Sequence, residues 1–404
     1  MADEDPRGLA ELVGEDDEGE LVKPPRRRSL RAPPERGPED EAPPPEPSGP
    51  WAKIGPLPLS LATKPEPARY LLWQGAAGQG AGLMRAGKVG ILSAPGGTGK
   101  TLALCSLALS VLTGRPWLSE AQTMPRRGSG YAVDPAAVGL RVALLLGEED
   151  AAEVHRRLWQ VAGLMALSAE ERAAVQDRLV VGALSGEDVT LVDADGAPMV
   201  DGLARTLAEQ AGPGFALVIL DPLSRFGGLE AEVDNGLATR TVGALERLTR
   251  LPGEPAVLVA HHERKGGGKG TDAVRGASAL VDGARWVARL QPVELGGRRW
   301  RSKAGHRAVW LRLVKTNYTP PLEAPCLVML DSGHGGAPRF ARTGELDELR
   351  AALASSPPNT DERADFAEVP ELAGALAGAP KAGAKRAASK ASSKGGPAPI
   401  GVEL

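Results

Sequence analysis

Ala94-Pro95-Gly96-Gly97-Thr98-Gly99-Lys100-Thr101 separates two apolar stretches. The run before it, Lys88–Ala94 (KVGILSA), has the length of a buried strand, and the run after it, Thr101–Leu112 (TLALCSLALSVL), is apolar on every side, as a buried helix is. A Gly-rich turn ending in Gly-Lys-Thr between a strand and a helix is the P-loop arrangement G-x-x-x-x-G-K-[ST], with Ala94 in place of its first Gly. Small residues let the backbone N–H groups turn inward around a β-phosphate, and the helix N-terminus adds a favourable dipole. Ala94, Pro95, Gly96, Gly97, Thr98, Gly99, Lys100 and Thr101 are therefore the expected nucleotide cradle, with Lys100 on the β- and γ-phosphates and the Thr101 hydroxyl on Mg²⁺. The expected cofactors are ATP and Mg²⁺.

Further buried runs follow at Arg141–Gly147 (RVALLLG), Phe215–Leu220 (FALVIL) and Ala256–Ala260 (AVLVA). Helical spacing lies between them, at Val154, Leu158, Val161 and Leu164, and again over Leu237–Leu251. Strands that are apolar throughout, alternating with helices, indicate an α/β fold with a mostly parallel sheet covered on both faces. In such a sheet the carboxyl ends of the strands face the ligand crevice. Asp221, directly after FALVIL, is the expected acid for Mg²⁺, so the metal residues are Thr101 and Asp221. Glu148-Glu149-Asp150 ends RVALLLG; Glu148 is the expected base for the attacking water and Glu149 the reserve. His261 and His262 end AVLVA; His155, His306 and His334 are scattered, so a hydrogen-bonding sensor fits the pair better than a metal site.

Composition bounds the rest. Over 404 residues, 48 Lys+Arg against 51 Asp+Glu give a net charge of −3, which excludes a uniformly basic nucleic-acid coat; contact with nucleic acid must come from a local patch. Aromatic residues are only 3%, too few for widespread base stacking. Cys105 and Cys326 make neither a disulfide scaffold nor a Cys-based zinc site and read as buried, reduced thiols. No apolar run reaches membrane-span length and the N-terminus has no signal-peptide segment, so a cytoplasmic protein with no membrane partner is expected. Residues 1–55, with nine acids in the first 20, then Arg26-Arg27-Arg28 and Pro43-Pro44-Pro45, are expected to be a disordered acidic, Pro-rich tail. Residues 352–404 read as a low-complexity Ala/Gly/Lys tail, with Lys381, Lys385, Arg386, Lys390 and Lys394 unbroken by acids. The folded domain is expected over 68–345, with Ser119–Gly139 as an insertion and Lys265–Lys269 as a Gly/Lys loop suited to phosphates.

Six segments together resemble the RepA-like hexameric replicative helicases, within the RecA/KaiC-like ATPases. They are APGGTGKT (94–101), GEEDAAEVHRRL (147–158), LDPLSRF (220–226), HHERK (261–265), RGASALVDGARW (275–286) and KTNY (315–318), and they span about 70–320. The resemblance implies a RecA-like P-loop core, ATP hydrolysis coupled to movement on single-stranded DNA, a homo-oligomer in the form of a hexameric ring, and a replication-initiation partner. It implies Glu148 as catalytic acid, Asp221 as magnesium acid, His262 with His261 as coupling residues, Arg285 as an arginine finger into the neighbouring subunit, and Lys315 near that neighbour's phosphates. A RecA/KaiC-like ATPase of recombination, repair or signalling that does not unwind DNA is the alternative; a small-molecule P-loop kinase and a nucleotide-dependent scaffold are more distant.

Overall fold

In the computed structural model the described residues run from Ala62 to Val369, with Leu372; left out within that span are 75–77, 79–80, 120–130, 194, 229–230, 232, 264–277, 320–324 and 356–357. Both predicted tails, the Lys265–Lys269 loop and the first residues of RGAS thus lie outside the described residues, apart from the start of the C-terminal segment. The chain divides into two units, Met1–Pro65 and Glu66–Leu404, and every element below belongs to the second.

The elements, in order, are β1 (Tyr70–Gln74), β2 (Ala81–Arg85), β3 (Val89–Ala94), α1 (Lys100–Thr113), β4 (Tyr131–Val133), β5 (Arg141–Leu146), α2 (Ala151–Leu164), α3 (Ala169–Arg178), β6 (Leu179–Ala183), α4 (Val200–Glu209), β7 (Phe215–Asp221), α5 (Leu223–Phe226), α6 (Asn235–Leu248), β8 (Ala256–His262), α7 (Ser278–Gly283) and β9 (Trp286–Pro292). They continue with β10 (Glu294–Leu295), β11 (Arg298–Arg299), β12 (Arg307–Thr316), β13 (Cys326–Asp331), β14 (Ala337–Phe340), α8 (Thr343–Ser355) and α9 (Thr360–Ala367). A nine-stranded sheet carries the order β14-β13-β12-β9-β3-β8-β7-β5-β6. From β9 to β6 all neighbours are parallel, which confirms the α/β, mostly parallel reading. The P-loop strand β3 lies inside it, between β8 and β9.

Helices cover both faces because the parallel strands are apolar on both. Along β3 the side chains alternate: Leu92 and Ala94 join the core under α1 and α2, while Val89 and Ile91 join the core under α4, α6 and α7. Helix α1 is buried nearly all round and stops at Gly114, whose φ of 74° ends it in the left-handed region. Part of the predicted insertion is built into the fold: β4 pairs antiparallel with β1 in a small sheet β2-β1-β4.

Two features depart from the sequence reading. Strands β12, β13 and β14 extend the sheet in antiparallel sense, where alternation of strand and helix pointed to more parallel units. Packing also continues past residue 345. Leu349 and Leu353 of α8, Phe366 of α9, and then Val369 and Leu372 close a third core on Val293, Trp310 and Met329, so the first part of the 352–404 segment is packed. The Trp310 and Phe366 rings meet edge to face at 5.8 Å. Phe366→Ala should cost ~3 kcal/mol in a urea titration, because the ring is only 1% exposed and its removal leaves a cavity. A loss within about 0.5 kcal/mol, the usual range for surface substitutions, would show that the C-terminal helices do not belong to the folded unit.

Candidate nucleotide site

The P-loop leaves the buried end of β3 and enters α1 through left-handed glycines: Gly97 has φ 72° and Gly99 φ 85°. Gly99 is also enclosed, since an added Cβ would lie 3.0 Å from the Leu330 side chain. Thr98 Oγ1 donates to Pro95 O at 2.6 Å and ties the turn together. Lys100 is 5% exposed and, among the described residues, its Nζ has no hydrogen-bond partner; its charge contact is with Asp221 Oδ1 at 3.4 Å. A buried ammonium without hydrogen-bond acceptors, at the mouth of a glycine cradle, is what a nucleotide phosphate would satisfy, so the residues fit ATP.

Asp221 ends β7, level with Leu146 of β5 in the sheet register, as the sequence placed it. Its carboxylate is 3% exposed and accepts from Thr101 Oγ1 at 2.6 Å. The two expected Mg²⁺ residues therefore meet directly, a hard oxygen pair suited to Mg²⁺ beside a phosphate. Beneath them, one turn along α1 from Thr101, burial pushes the Cys105 thiol up to about 12, aided by the charge of Asp221, so it is an inert core thiol. Cys326 is only half-buried, and its Sγ is 3.3 Å from Tyr131 Oη.

The three acids after β5 sit in three different environments. Asp150 caps α2, accepting from Glu153 N at 2.7 Å. Glu148, the expected base, is exposed. Glu149, the reserve, turns inward: its side chain is 12% exposed and pairs with Arg157 at 2.6 Å, while Arg157 also holds Glu153. Burial raises the Glu149 pKa; Arg157 opposes that, and the negative charges of Asp221 and Glu148 add to it. Gly147 just before them has to be Gly, because a Cβ there would meet Arg225 Cβ at 2.8 Å, and Arg225 Nε donates to the Gly147 carbonyl.

His261 and His262 lie level with Ser93 and Ala94 of the P-loop strand, His261 buried and His262 half-buried. The next residue, Glu263, has no role in the sequence reading of HHERK, yet it is central here. It accepts from Ser93 Oγ at 2.7 Å and takes both Arg289 Nε (2.7 Å) and Nη2 (2.9 Å), a nearly buried bidentate pair joining β8, β3 and β9. An Arg on an otherwise apolar strand, ARL within β9, was the available signal.

Arg285 and Lys315 lie elsewhere. Arg285 N donates to Val89 O, at the start of β3, and Asn317 N donates to Arg285 O. Lys315 Nζ donates to Val281 O and Asp282 O at 2.8 and 2.9 Å, on the last turn of α7. Burial lowers the Lys315 pKa, and Arg285 adds to the lowering. The P-loop leaves the other end of β3, about 16 Å away at strand rise. Thus the cradle, Asp221, Glu148, Glu149 and the histidines gather at one edge of the sheet, and Arg285 with Lys315 at the opposite edge.

A family profile described as an AAA domain matches residues 57–268, more than half of the chain, and takes in the whole cradle, both glutamates, Asp221 and both histidines. The chain belongs to the AAA domain family. Among solved structures, one whose title describes it as an ATPase domain is similar at 12% identity and a TM-score of 0.42, covering 63% of this chain and 85% of that one. This AAA domain is a P-loop ATPase domain in its residues as well as its profile: Lys100 and Asp221, both buried, stand in one cluster with the half-buried Thr101. No helix among its described residues is long and apolar enough to cross a membrane. Lys100→Ala should leave the fold intact and weaken binding of a fluorescent ATP analogue at least roughly tenfold, because the only ammonium aimed at the phosphates from α1 is lost.

Proposed function

We propose that the protein is a ring-forming, ATP-hydrolysing motor on single-stranded DNA, of the RepA-like replicative helicase type, whose nucleotide sites are completed between subunits. The observation that carries this reading is the separation of Arg285 and Lys315 from the P-loop of their own chain. A head-to-tail interface repeated by rotation closes a ring and brings the far edge of one copy to the P-loop edge of the next. An arginine supplied in trans stabilises charge developing on a transferred phosphoryl group.

Within one site, Lys100 would bind phosphate, and Thr101 with Asp221 would hold Mg²⁺. Bound ATP with Mg²⁺ supplies the phosphoanhydride to be cleaved and part of the charge neutralisation. Glu149, rather than the exposed Glu148, is the residue proposed to orient the attacking water and take its proton, since it is the carboxylate buried beside Asp221. His261 and His262, level with Ser93 and Ala94 of the P-loop strand, are proposed to relay nucleotide state to DNA.

Two measurements on the full chain test the reading together: ATPase rate with and without single-stranded DNA, and mass in solution with ATP. A DNA-stimulated rate from an oligomer is expected. A monomer that hydrolyses ATP indifferently to DNA would reject it, and stimulation without strand displacement would select the RecA/KaiC-like alternative.

A further inference from the structure

The segment between β9 and β12 forms a basic ribbon that the nucleotide chemistry does not use. β10 and β11 make a hairpin through Gly296 and Gly297, with φ of 62° and 73°, the left-handed pair that a tight two-residue turn needs. Glu362 of α9 accepts from both glycine N–H groups at 3.0 and 2.7 Å, and Glu348 accepts from Lys303 N at 2.7 Å. Trp300 packs against the third core. The ribbon is therefore held in place before any ligand arrives.

Its outward side carries arginines in register. Arg299 and Arg301 are two residues apart in extended chain, so they share a side at ~6.8 Å spacing. Arg301 bridges antiparallel to Arg307, which puts Arg307 on that side too. Arg299 and Arg301 are exposed and Arg307 is half-buried. Among the described residues none of the three has a carboxylate ion-pair partner; the acid on the same side is Glu294, opposite Arg299 in the hairpin. The Arg307 pKa is lowered by burial and then by the charges of Arg301 and Arg299, so the three guanidinium groups lie close enough to repel one another. The row begins at the P-loop: Arg307 Nη1 donates to Gly97 O at 2.8 Å.

We infer that Arg299, Arg301 and Arg307 form a binding face for the phosphodiester backbone of a single-stranded nucleic acid, running past the outside of the P-loop. Arg307 holds a carbonyl of the loop, whereas a phosphate cradle is lined by N–H groups, so the row is assigned to a ligand outside the cradle. A single strand offers one charge per nucleotide, and its counterpart is a row of cations, not one pocket. Guanidinium groups suit it by binding phosphate in a bidentate way. The inference rests on the DNA-motor reading but concerns residues other than the nucleotide cradle and the histidine pair.

The test uses the full chain, a fluorescein-labelled oligothymidylate of about 30 nucleotides, and anisotropy titrations between about 50 and about 200 mM KCl. Arg299→Ala with Arg301→Ala should weaken binding roughly 10–100-fold at the lower salt and lower the slope of log affinity against log salt by about 1.4, two contacts at about 0.7 each. Arg299→Lys with Arg301→Lys should restore the slope, and affinity for a fluorescent ATP analogue without DNA should match wild type in both variants, reporting an intact fold. If wild type binds the strand and the alanine variant binds it equally with the same slope, this face is not the site and the motor reading stands. If the alanine variant instead loses oligomer mass with strand binding unchanged, the face joins copies of the chain and the inference is overturned. If wild type does not bind the strand at all, both readings fall.

Discussion

Glu149→Gln should bind ATP with wild-type affinity and hydrolyse it roughly 10²–10⁴-fold more slowly, the range for loss of a positioned general base. Glu148→Gln should keep most of its turnover, because that side chain is exposed while Glu149 is buried against Arg157. Single-turnover kinetics on both variants separates them. The pH dependence follows from the same geometry. Burial lifts the Glu149 pKa and Arg157 opposes the lift. A base with a raised pKa picks up its proton sooner as pH falls, so the acid limb of kcat/KM, which reports the free enzyme, should lie above the ordinary Glu value of about 4.3. Arg157→Ala removes the opposing charge and should move that limb to still higher pH, while Arg157→Lys should keep it near wild type. A limb that does not respond to Arg157, or loss of turnover in Glu148→Gln alone, would return the base to Glu148.

Arg285→Ala should bind ATP nearly normally and hydrolyse it roughly 10³–10⁵-fold more slowly, the range associated with arginine fingers. Binding is spared because Arg285 is remote from the cradle of its own chain, anchored at Val89 instead of Ala94. Lys315→Ala should act in the same direction but less strongly, since its ammonium is already engaged with two carbonyls at the end of α7. Stopped-flow binding of a fluorescent ATP analogue beside steady-state turnover checks the split. A matching loss of affinity would mean that Arg285 acts through the fold and not on phosphoryl charge.

The cradle was legible in the sequence because a P-loop is local: eight consecutive residues determine both its shape and its charge. Asp221 was legible for a related reason, as a strand end in a parallel sheet points to one edge. The different environments of Glu148 and Glu149 were not, because adjacent side chains at a strand end leave in opposite directions. Their parity depends on Asp150 capping α2 and on Arg225 packing over Gly147. Glu263 and Arg289 went unread because each is an ordinary charge until the sheet places β8 and β9 on either side of β3. The antiparallel strands β12–β14 and the core around Phe366 depend on contacts between segments far apart in sequence, and RAVWLRLVKT, with its charges, offers no continuous apolar run.

If catalysis needs two chains, as proposed, mixing of defective subunits will reveal it. Arg285→Ala and Glu149→Gln, each inactive alone, are combined under conditions where subunits exchange. About a quarter of junctions in a random equal mixture would join an intact Glu149 site to an intact Arg285 donor. ATPase activity should then recover in part, rise and fall with the mixing ratio, and peak near equal proportions. No recovery at any ratio, in mixtures shown to exchange, would overturn the two-chain site and place the whole reaction within a single chain.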